Sequence, residues 1–350
     1  MNDGEGARDV AVTEVVNEDG HISRVVDFDD NALLLNLFGA GDRHLARIEQ
    51  SLEVSMVPRG NRVAIAGTPD AVDAAERALR DLYGRLKKGL DVAMGEVDGA
   101  VRMAQSGPSA SPPPRSAPAA AVEGGLVRTQ KRPIQPRSQT QRAYVDALRN
   151  NELVVGLGPA GTGKTYLAVA VAVEMLLENR VDRIILTRPA VEAGERLGFL
   201  PGTMDEKVDP YMRPMYDALY DMMPAEKVVR RRDSGEIEVA PLAFMRGRTL
   251  ANAFVILDEA QNSTPMQMKM FLTRMGENSR MVVTGDPSQV DLPLGTKSGL
   301  VDAMDILDRI EAVKIVSFSH ADVVRHPIVT RIVQGYERRD RSLLKPERES

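Results

Sequence analysis

Residues 153–177 read LVVGLGPAGTGKTYLAVAVAVEMLL, and their grammar decides the fold. Five apolar residues, 153–157, run straight into Gly158-Pro159-Ala160-Gly161-Thr162-Gly163-Lys164-Thr165, and an apolar helical stretch opens at Tyr166. This is a complete G-x-x-x-x-G-K-T phosphate loop in its required strand–loop–helix setting. Glycines let successive backbone N–H groups turn inward around phosphate oxygens, and the helix presents the positive end of its dipole. Lys164 is then placed to bridge the β- and γ-phosphates and Thr165 to ligate Mg²⁺, with residues 158–166 as the nucleotide-binding set.

Two further strand ends carry chemistry. Residues 253–257, AFVIL, end in Asp258-Glu259-Ala260-Gln261. A carboxylate at the C-terminal end of such a strand faces the crevice that holds the phosphate loop. Asp258 reads as the Mg²⁺ carboxylate and Glu259 as the general base that polarises an attacking water. Residues 281–284, MVVT, lead into Gly285-Asp286-Pro287-Ser288-Gln289, where Gln289 is placed to sense the γ-phosphate or orient water. Thr187-Arg188-Pro189 closes another apolar run, and Arg188 serves either nucleic acid or structure. His320 and His326 have no acid or histidine at metal-ligand spacing, which argues against zinc.

Working outward, residues 183–186 and 314–318 join 153–157, 254–257 and 281–284 as short, continuous, Val/Ile/Leu-rich runs, which suit strands covered on both faces of a parallel sheet. Helical patterns separate most of them, so the expected fold is a doubly wound, mostly parallel α/β domain. A longer insertion, 190–250, carries a hairpin expected where Asp233-Ser234-Gly235 turns into residues 236–239. Its aromatics, Phe199, Tyr211, Tyr216 and Tyr220, read as packing, and Met266, Met268 and Met270 as core or interface filler.

Upstream the composition changes twice. Residues 104–125, AQSGPSASPPPRSAPAAAVEGG, have nothing to bury and read as an extended linker. The next stretch, 126–145, holds five basic residues and no acid, and is either a phosphate contact or a solvated connector. Before the linker, 27–103 reads as a small α+β domain: helices at 32–37, 43–52 and 71–86, and two short strands around Arg59-Gly60-Asn61. Residues 1–30 hold nine acids and two bases, so residues 1–26 are expected to be an acidic, disordered tail, and residues 341–350 a second disordered tail at the other end. The expected domains are thus 27–103 and 135–340, joined by 104–134. Cysteine is absent, which excludes disulfides, thiolate metal sites and a cysteine nucleophile. No apolar run approaches the ~18 residues of a membrane span, and the N-terminus lacks a secretory signal. A cytoplasmic protein is the expectation. The net charge of −5 does not exclude nucleic acid, since binding depends on local patches.

Taken together, GPAGTGKTYLAVA, TRPAVEAGERLGFLPG, APLAFMRGRTL, FVILDEAQN, TGDPSQVDLP and DVVRHPIVTRIV resemble, in order, the blocks of the PhoH-like ATPases over residues 135–338. That family is similar in its motifs to the first ATPase lobe of superfamily 1 helicases, a RecA-like fold. The resemblance implies ATP and Mg²⁺ as cofactors. It places Gln141 where a glutamine reads adenine, Asp258–Gln261 as the DEAQ box, and 285–289 as the third motif. Residues 37–67 resemble the KH-like segment of the longer PhoH members, which are found beside a ribosome-maturation endoribonuclease in bacteria. A KH domain grips RNA backbone on a GXXG loop. Here the matching loop is Gly39-Ala40-Gly41-Asp42, with its second glycine displaced and an acid added, so a protein contact stands beside RNA as its role.

Helicases of that superfamily close two lobes over one nucleotide, yet 61 residues remain after Gln289, too few for another doubly wound lobe of on the order of 100 residues. An arginine completing the site would come from this short tail or from a neighbouring subunit. The expectation is a homo-oligomeric ring, plausibly a hexamer, in which Arg325, or Arg331 in its place, reaches the neighbour's γ-phosphate. The alternative is that these arginines pair with surface acids. Two functions follow. One is an RNA-associated, helicase-like remodeller driven by ATP hydrolysis. The other is an ATP-dependent switch or assembly factor for a partner such as that endoribonuclease.

Overall fold

The computed structural model describes residues 14–16, 21–105, 125–189, 204–293, 295–324 and positions 328, 329, 332, 335, 336 and 339. The chain divides into two compact units, Met1–Val122 with Arg137–Gln139, and Glu123–Pro136 with Thr140–Ser350.

The first unit is built on a four-stranded antiparallel sheet of order β1-β2-β4-β3, with β1 at Glu14–Val16, β2 at Ile22–Asp27, β3 at Ser55–Arg59 and β4 at Arg62–Gly67. Helices α1 (Leu34–Phe38), α2 (Arg43–Leu52), α3 (Pro69–Lys87) and α4 (Met94–Gln105) supply the rest. Leu45, Ile48 and Leu52 recur at helical spacing on α2, and Val72, Ala75, Leu79 and Leu82 on α3, so each helix buries one stripe. These stripes share a core with Ile22, Val26, Val63 and Ile65. The helices and the β3–β4 pair lie where the sequence places them. Three elements differ. Glu14–Val16, inside the stretch expected to be a disordered tail, is a strand paired with β2. Ile22–Asp27 is a strand paired along its length with β4, so residues 22–26 belong to the sheet and not to an acidic tail. The alternation Ile22, Arg24, Val26 is too short to stand out among acids. Residues 94–105 form α4, packed on α3, so the unit extends past 103.

In the second unit, β5 (Leu153–Leu157), β6 (Arg183–Arg188), β7 (Ile237–Pro241), β8 (Ala253–Leu257), β9 (Arg280–Gly285) and β10 (Val313–Ser317) form a six-stranded sheet of order β10-β5-β9-β8-β6-β7. Every pairing is parallel. Helices α5 (Gln139–Asn150), α6 (Lys164–Leu177), α7 (Met204–Met222), α8 (Ala225–Asp233), α9 (Pro265–Leu272) and α10 (Gly299–Leu307) connect the strands. Successive strand residues serve opposite faces. Val154, Ile184, Leu186, Phe254, Ile256 and Val282 join one core with α5, α6 and α7. Val155, Ile185, Val255, Leu257, Met281 and Val283 join the other, with α9 and α10. The doubly wound α/β expectation is met, and all five apolar runs are strands.

Two expectations for this unit are corrected. The hairpin at 233–239 is absent: Ser234-Gly235 is the left-handed stop of α8, with Gly235 at φ 77° and its N–H bonded to the Arg232 carbonyl. The residues after it form β7, a parallel edge strand on β6. A turn signal before a short strand looks the same whether a strand or a helix precedes it. Residues 125–134 are not a loose connector either. Val127 and Ile134 pair with each other and are buried in the core of the second unit. The Arg128 N–H donates to the buried Glu174 carboxylate at 2.8 Å, and Arg149 holds the same carboxylate from α5. No helix among the described residues is long and apolar enough to cross a membrane.

Candidate active site

In a parallel sheet every strand delivers its C-terminal end to one edge, and β5, β8 and β9 deliver theirs side by side. The loop after β5 turns back on itself through three glycines with left-handed or extended positive φ: Gly158 at 137°, Gly161 at 81° and Gly163 at 84°. Gly158 has no room for a side chain, since a Cβ there would lie 2.4 Å from the Phe318 carbonyl oxygen. The Gly158 N–H donates to the Gly285 carbonyl at 3.1 Å, and the Gly161 carbonyl accepts from the Val324 N–H at 3.0 Å. The loop is thereby held from β9 and from the segment after β10.

Lys164 opens α6 and is 9% exposed. Its ammonium donates to the carbonyls of Gly158 at 2.5 Å and Pro159 at 2.8 Å, with Thr162 Oγ1 at 3.4 Å. Burial pushes its pKa below the usual lysine range, opposed by the charges of Asp286, Asp258 and Glu259. Thr165 Oγ1 donates to Asp258 Oδ1 at 2.5 Å, and Thr284 Oγ1 donates to the same oxygen at 2.7 Å. The loop and the β8 carboxylate, distant in sequence, are therefore in direct contact. A hydroxyl and a carboxylate are hard oxygen donors, the type Mg²⁺ prefers, and Mg²⁺ commonly takes one or two protein oxygens and fills its shell from phosphate and water.

A cavity of about 230 Å³ opens here, lined by Ala160, Gly161, Gly163, Lys164, Thr165, Tyr166, Asp258, Glu259, Gly285, Asp286 and Gln289. It thus gathers three separate stretches of chain. Glu259 adopts a left-handed conformation, φ 51°, as the chain turns out of β8. Its carboxylate accepts from Gln261 Nε2 at 2.6 Å and lies 3.8 Å from the Arg188 guanidinium. Arg188 also donates to the Tyr211 carbonyl, which ties the end of β6 to α7. Tyr166 OH accepts from Arg132 at 3.0 Å, and Arg132 pairs with Asp221.

Gln141, expected beside adenine, lies next to the phosphate loop. It is 4% exposed, and its Nε2 donates to the Thr162 carbonyl at 2.9 Å, so it braces the loop from beneath. Arg325 and Arg331 lie outside the described residues. Three residues to which the sequence assigned no role also contribute. Gln261 is 1% exposed and links both motifs: besides Glu259, it accepts from the Asp286 N–H at 3.0 Å and donates to the Gln289 carbonyl at 3.2 Å. Thr284 supplies the second hydroxyl on Asp258. Asp286 is buried, and one carboxylate oxygen takes Ser288 N–H and Oγ. A hydroxyl closing an apolar strand was the available signal for Thr284; nothing local marks Gln261 as a bridge.

Comparison with known proteins identifies the family. The family model described as PhoH-like protein matches residues 133–337. A PhoH-like protein of Mycobacterium bovis is 49% identical over 306 residues, covering 87% of this chain and 85% of that protein. One from Bacillus subtilis is 46% identical over 307 residues, covering 87% of this chain and 94% of its own length. Among solved structures, the SWI2/SNF2 ATPase core of Sulfolobus solfataricus aligns with 52% of this chain and 44% of that chain, at 13% identity and a TM-score of 0.31, too distant to bear on function. The six blocks read from the sequence, the loop-to-carboxylate contact at the sheet edge and relatives matched over most of their length agree: this chain belongs to the PhoH-like protein family.

Proposed function

We propose that this protein binds ATP with Mg²⁺ and hydrolyses it, and that it acts in the cytoplasm as an RNA-associated, helicase-like remodeller. The observation that carries the reading is the convergence of Lys164, Thr165, Asp258, Glu259 and Gln289 on one cavity. Thr165 and Asp258 would hold the metal. When bound, Mg²⁺ supplies positive charge to the β- and γ-phosphate oxygens. Lys164 exchanges its loop carbonyls for phosphate oxygens, which are stronger, charged acceptors. Glu259 takes a proton from water as the water oxygen bonds to the γ-phosphorus and the bond to the bridging oxygen breaks, leaving its electron pair on ADP. Gln261 fixes the angle of Glu259 and, through the Gln289 carbonyl, the turn that senses the γ-phosphate.

No arginine lines the cavity among the described residues. Arg188 stands 3.8 Å from Glu259 at the margin of the site; in a ring of six copies, Arg325 of one copy would add a second guanidinium at the phosphate held by the next. The pairing of a DEAQ box with a third motif supports coupling to RNA, because in the helicase lobe it resembles this pair links hydrolysis to movement on a strand.

The test is Lys164→Ala. Nucleotide binding and phosphate release should both fall at least about 100-fold, since the lysine's phosphate contacts are charge-assisted and preorganised. Undiminished turnover in this variant discards the assignment.

A further inference from the structure

We infer that the outer surface carrying Phe244, Arg246, Met266 and Lys269 is a platform for single-stranded nucleic acid. The inference deepens the proposed function by giving the polymer a place, and it stands on a different set of side chains from the nucleotide cavity.

After β7 the chain makes one short helical turn, Leu242–Met245, and this turn packs against α9. Leu242 and Met245 point into the core, as do Met268 and Phe271 of α9, all at most 1% exposed. The other face of both elements is turned outward: Phe244 is 52% exposed and Met266 83%, with Arg246 and Lys269 also exposed. Phe244 and Tyr336 are the exposed aromatics among the described residues, and Phe244 stands out because Met266 on the packed neighbouring helix is exposed with it.

Charge selects that partner. Residues 241–250 and 263–275 carry four cations and no acid. Arg248 is neutralised by Glu238 through two hydrogen bonds, and Arg274 is turned inward onto the carbonyls of Met270 and Arg248. Arg246 and Lys269 form no ion pair among the described residues. Two packed elements that expose an apolar ring, a thioether and two uncompensated cations, with no carboxylate on either stretch, complement a polymer with flat bases and a negative backbone. A base can lie on the exposed ring only if it is unpaired, which selects a single strand over a duplex.

The position agrees. Both β7 and β8 leave the sheet at the edge where the phosphate loop sits, since all six strands are parallel. The platform is also rigid and joined to the active site. Thr264 and Gln267 form a reciprocal cap at the start of α9, Ser263 accepts from the Gly299 N–H, and the loop from Arg246 to Thr249 is pinned to α9 by Arg274. Three residues, Gln261–Ser263, separate the first of these contacts from Ala260 and the DEAQ carboxylates. A strand pulling on this face therefore acts on the element that carries Glu259.

The test measures binding of fluorescently labelled oligouridylate and oligoadenylate to the full-length protein by anisotropy, across a salt series, with basal ATP hydrolysis as the control for folding. Phe244→Ala should weaken binding roughly 5- to 150-fold, the range of a lost base–aromatic stack, and leave basal hydrolysis unchanged. Arg246→Ala and Lys269→Ala should each reduce the slope of log affinity against log salt by about 0.7, the value for one released counterion on a single strand. Wild-type affinity in Phe244→Ala, an unaltered slope in both charge variants, or no binding by the wild-type protein overturns the inference. So does a change in particle mass without a change in oligonucleotide affinity, which would make this face a protein contact. Absent hydrolysis in the wild-type protein would instead strike the nucleotide reading, while the binding arms still decide the surface.

Discussion

Gln261→Glu exchanges one NH₂ for an oxygen and leaves the side-chain volume almost unchanged, so it tests the bridge between the two motifs without opening a cavity. In the native site the amide oxygen accepts from the Asp286 N–H at 3.0 Å, and the variant keeps that bond. Its nitrogen donates to Glu259 at 2.6 Å and to the Gln289 carbonyl at 3.2 Å, and the variant replaces both with an acceptor facing an acceptor. Two carboxylates that relax to about 4 Å repel by about 4 kcal/mol at an effective dielectric constant of 20. The lost charge-assisted hydrogen bond adds about 1.5–3 kcal/mol. Glu259 must then either take a proton, and stop being a base, or swing off the line of attack. About 4 kcal/mol corresponds to roughly a thousandfold in rate. Phosphate release should fall about 100- to 1000-fold, while the affinity for a non-hydrolysable ATP analogue, set by the loop and Lys164, stays within about threefold. The two measurements, a steady-state phosphate assay and calorimetric titration, separate chemistry from binding. Turnover within threefold of wild type would refute the claim that Gln261 sets the geometry of Glu259.

Glu174→Ala removes the carboxylate that Arg149 grips bidentately and that accepts the Arg128 N–H. Breaking such a pair costs about 3–5 kcal/mol when fully buried; with Arg149 still 21% exposed, the lower figure applies, and the melting temperature should drop by roughly 6–12 °C. The first unit has a separate acid limb. Hydrogen bonds from Lys87 and Tyr83 hold the Asp29 carboxyl down at about 2. A depressed carboxylate stabilises the fold above its unfolded pKa and loses that contribution as pH falls, so Asp29 adds pH dependence between about 4 and 2 and none above. Asp29→Asn should flatten that part of the acid-denaturation profile, and an unchanged profile would count against the Asp29–Lys87–Tyr83 contact. Arg325→Ala should cut turnover about 10³-fold and spare nucleotide binding, as loss of an arginine finger does, and full turnover would discard the trans-acting role.

Local pattern carried much of this protein. Gly158–Thr165 can adopt its conformation because glycine alone tolerates those φ values, and that is visible one residue at a time. Four of the apolar runs are strands covered on both faces, which need apolar side chains at nearly every position, whereas the run at 314–318 gives the edge strand β10, buried only at Val316. What failed were features whose local signal has two readings. Ser234-Gly235 marks a chain reversal, but only the packing of Val228 into the core decides that a helix precedes it. Val127 and Ile134 look like stray apolar residues among bases until α5 and α6 close over them. Gln141 is a separate case: it matches an adenine reader by position, and the structure adds only that its Nε2 donates to the Thr162 carbonyl.

The sequence by itself determined the chemistry available: a loop that can wrap phosphate, a lysine, a hydroxyl, and two carboxylates at a strand end. Tertiary structure alone decided which of these meet. Strand β9, last but one of the described strands, inserts between β5 and β8, and this sets Thr284 against Asp258 and lets Gln261 span the two turns. No short-range rule could place β9 there. Backbone sterics and side-chain period act over a few residues, whereas strand order follows from how α5, α6, α7, α9 and α10 cover both faces of one twisted sheet, a property of the whole packed unit.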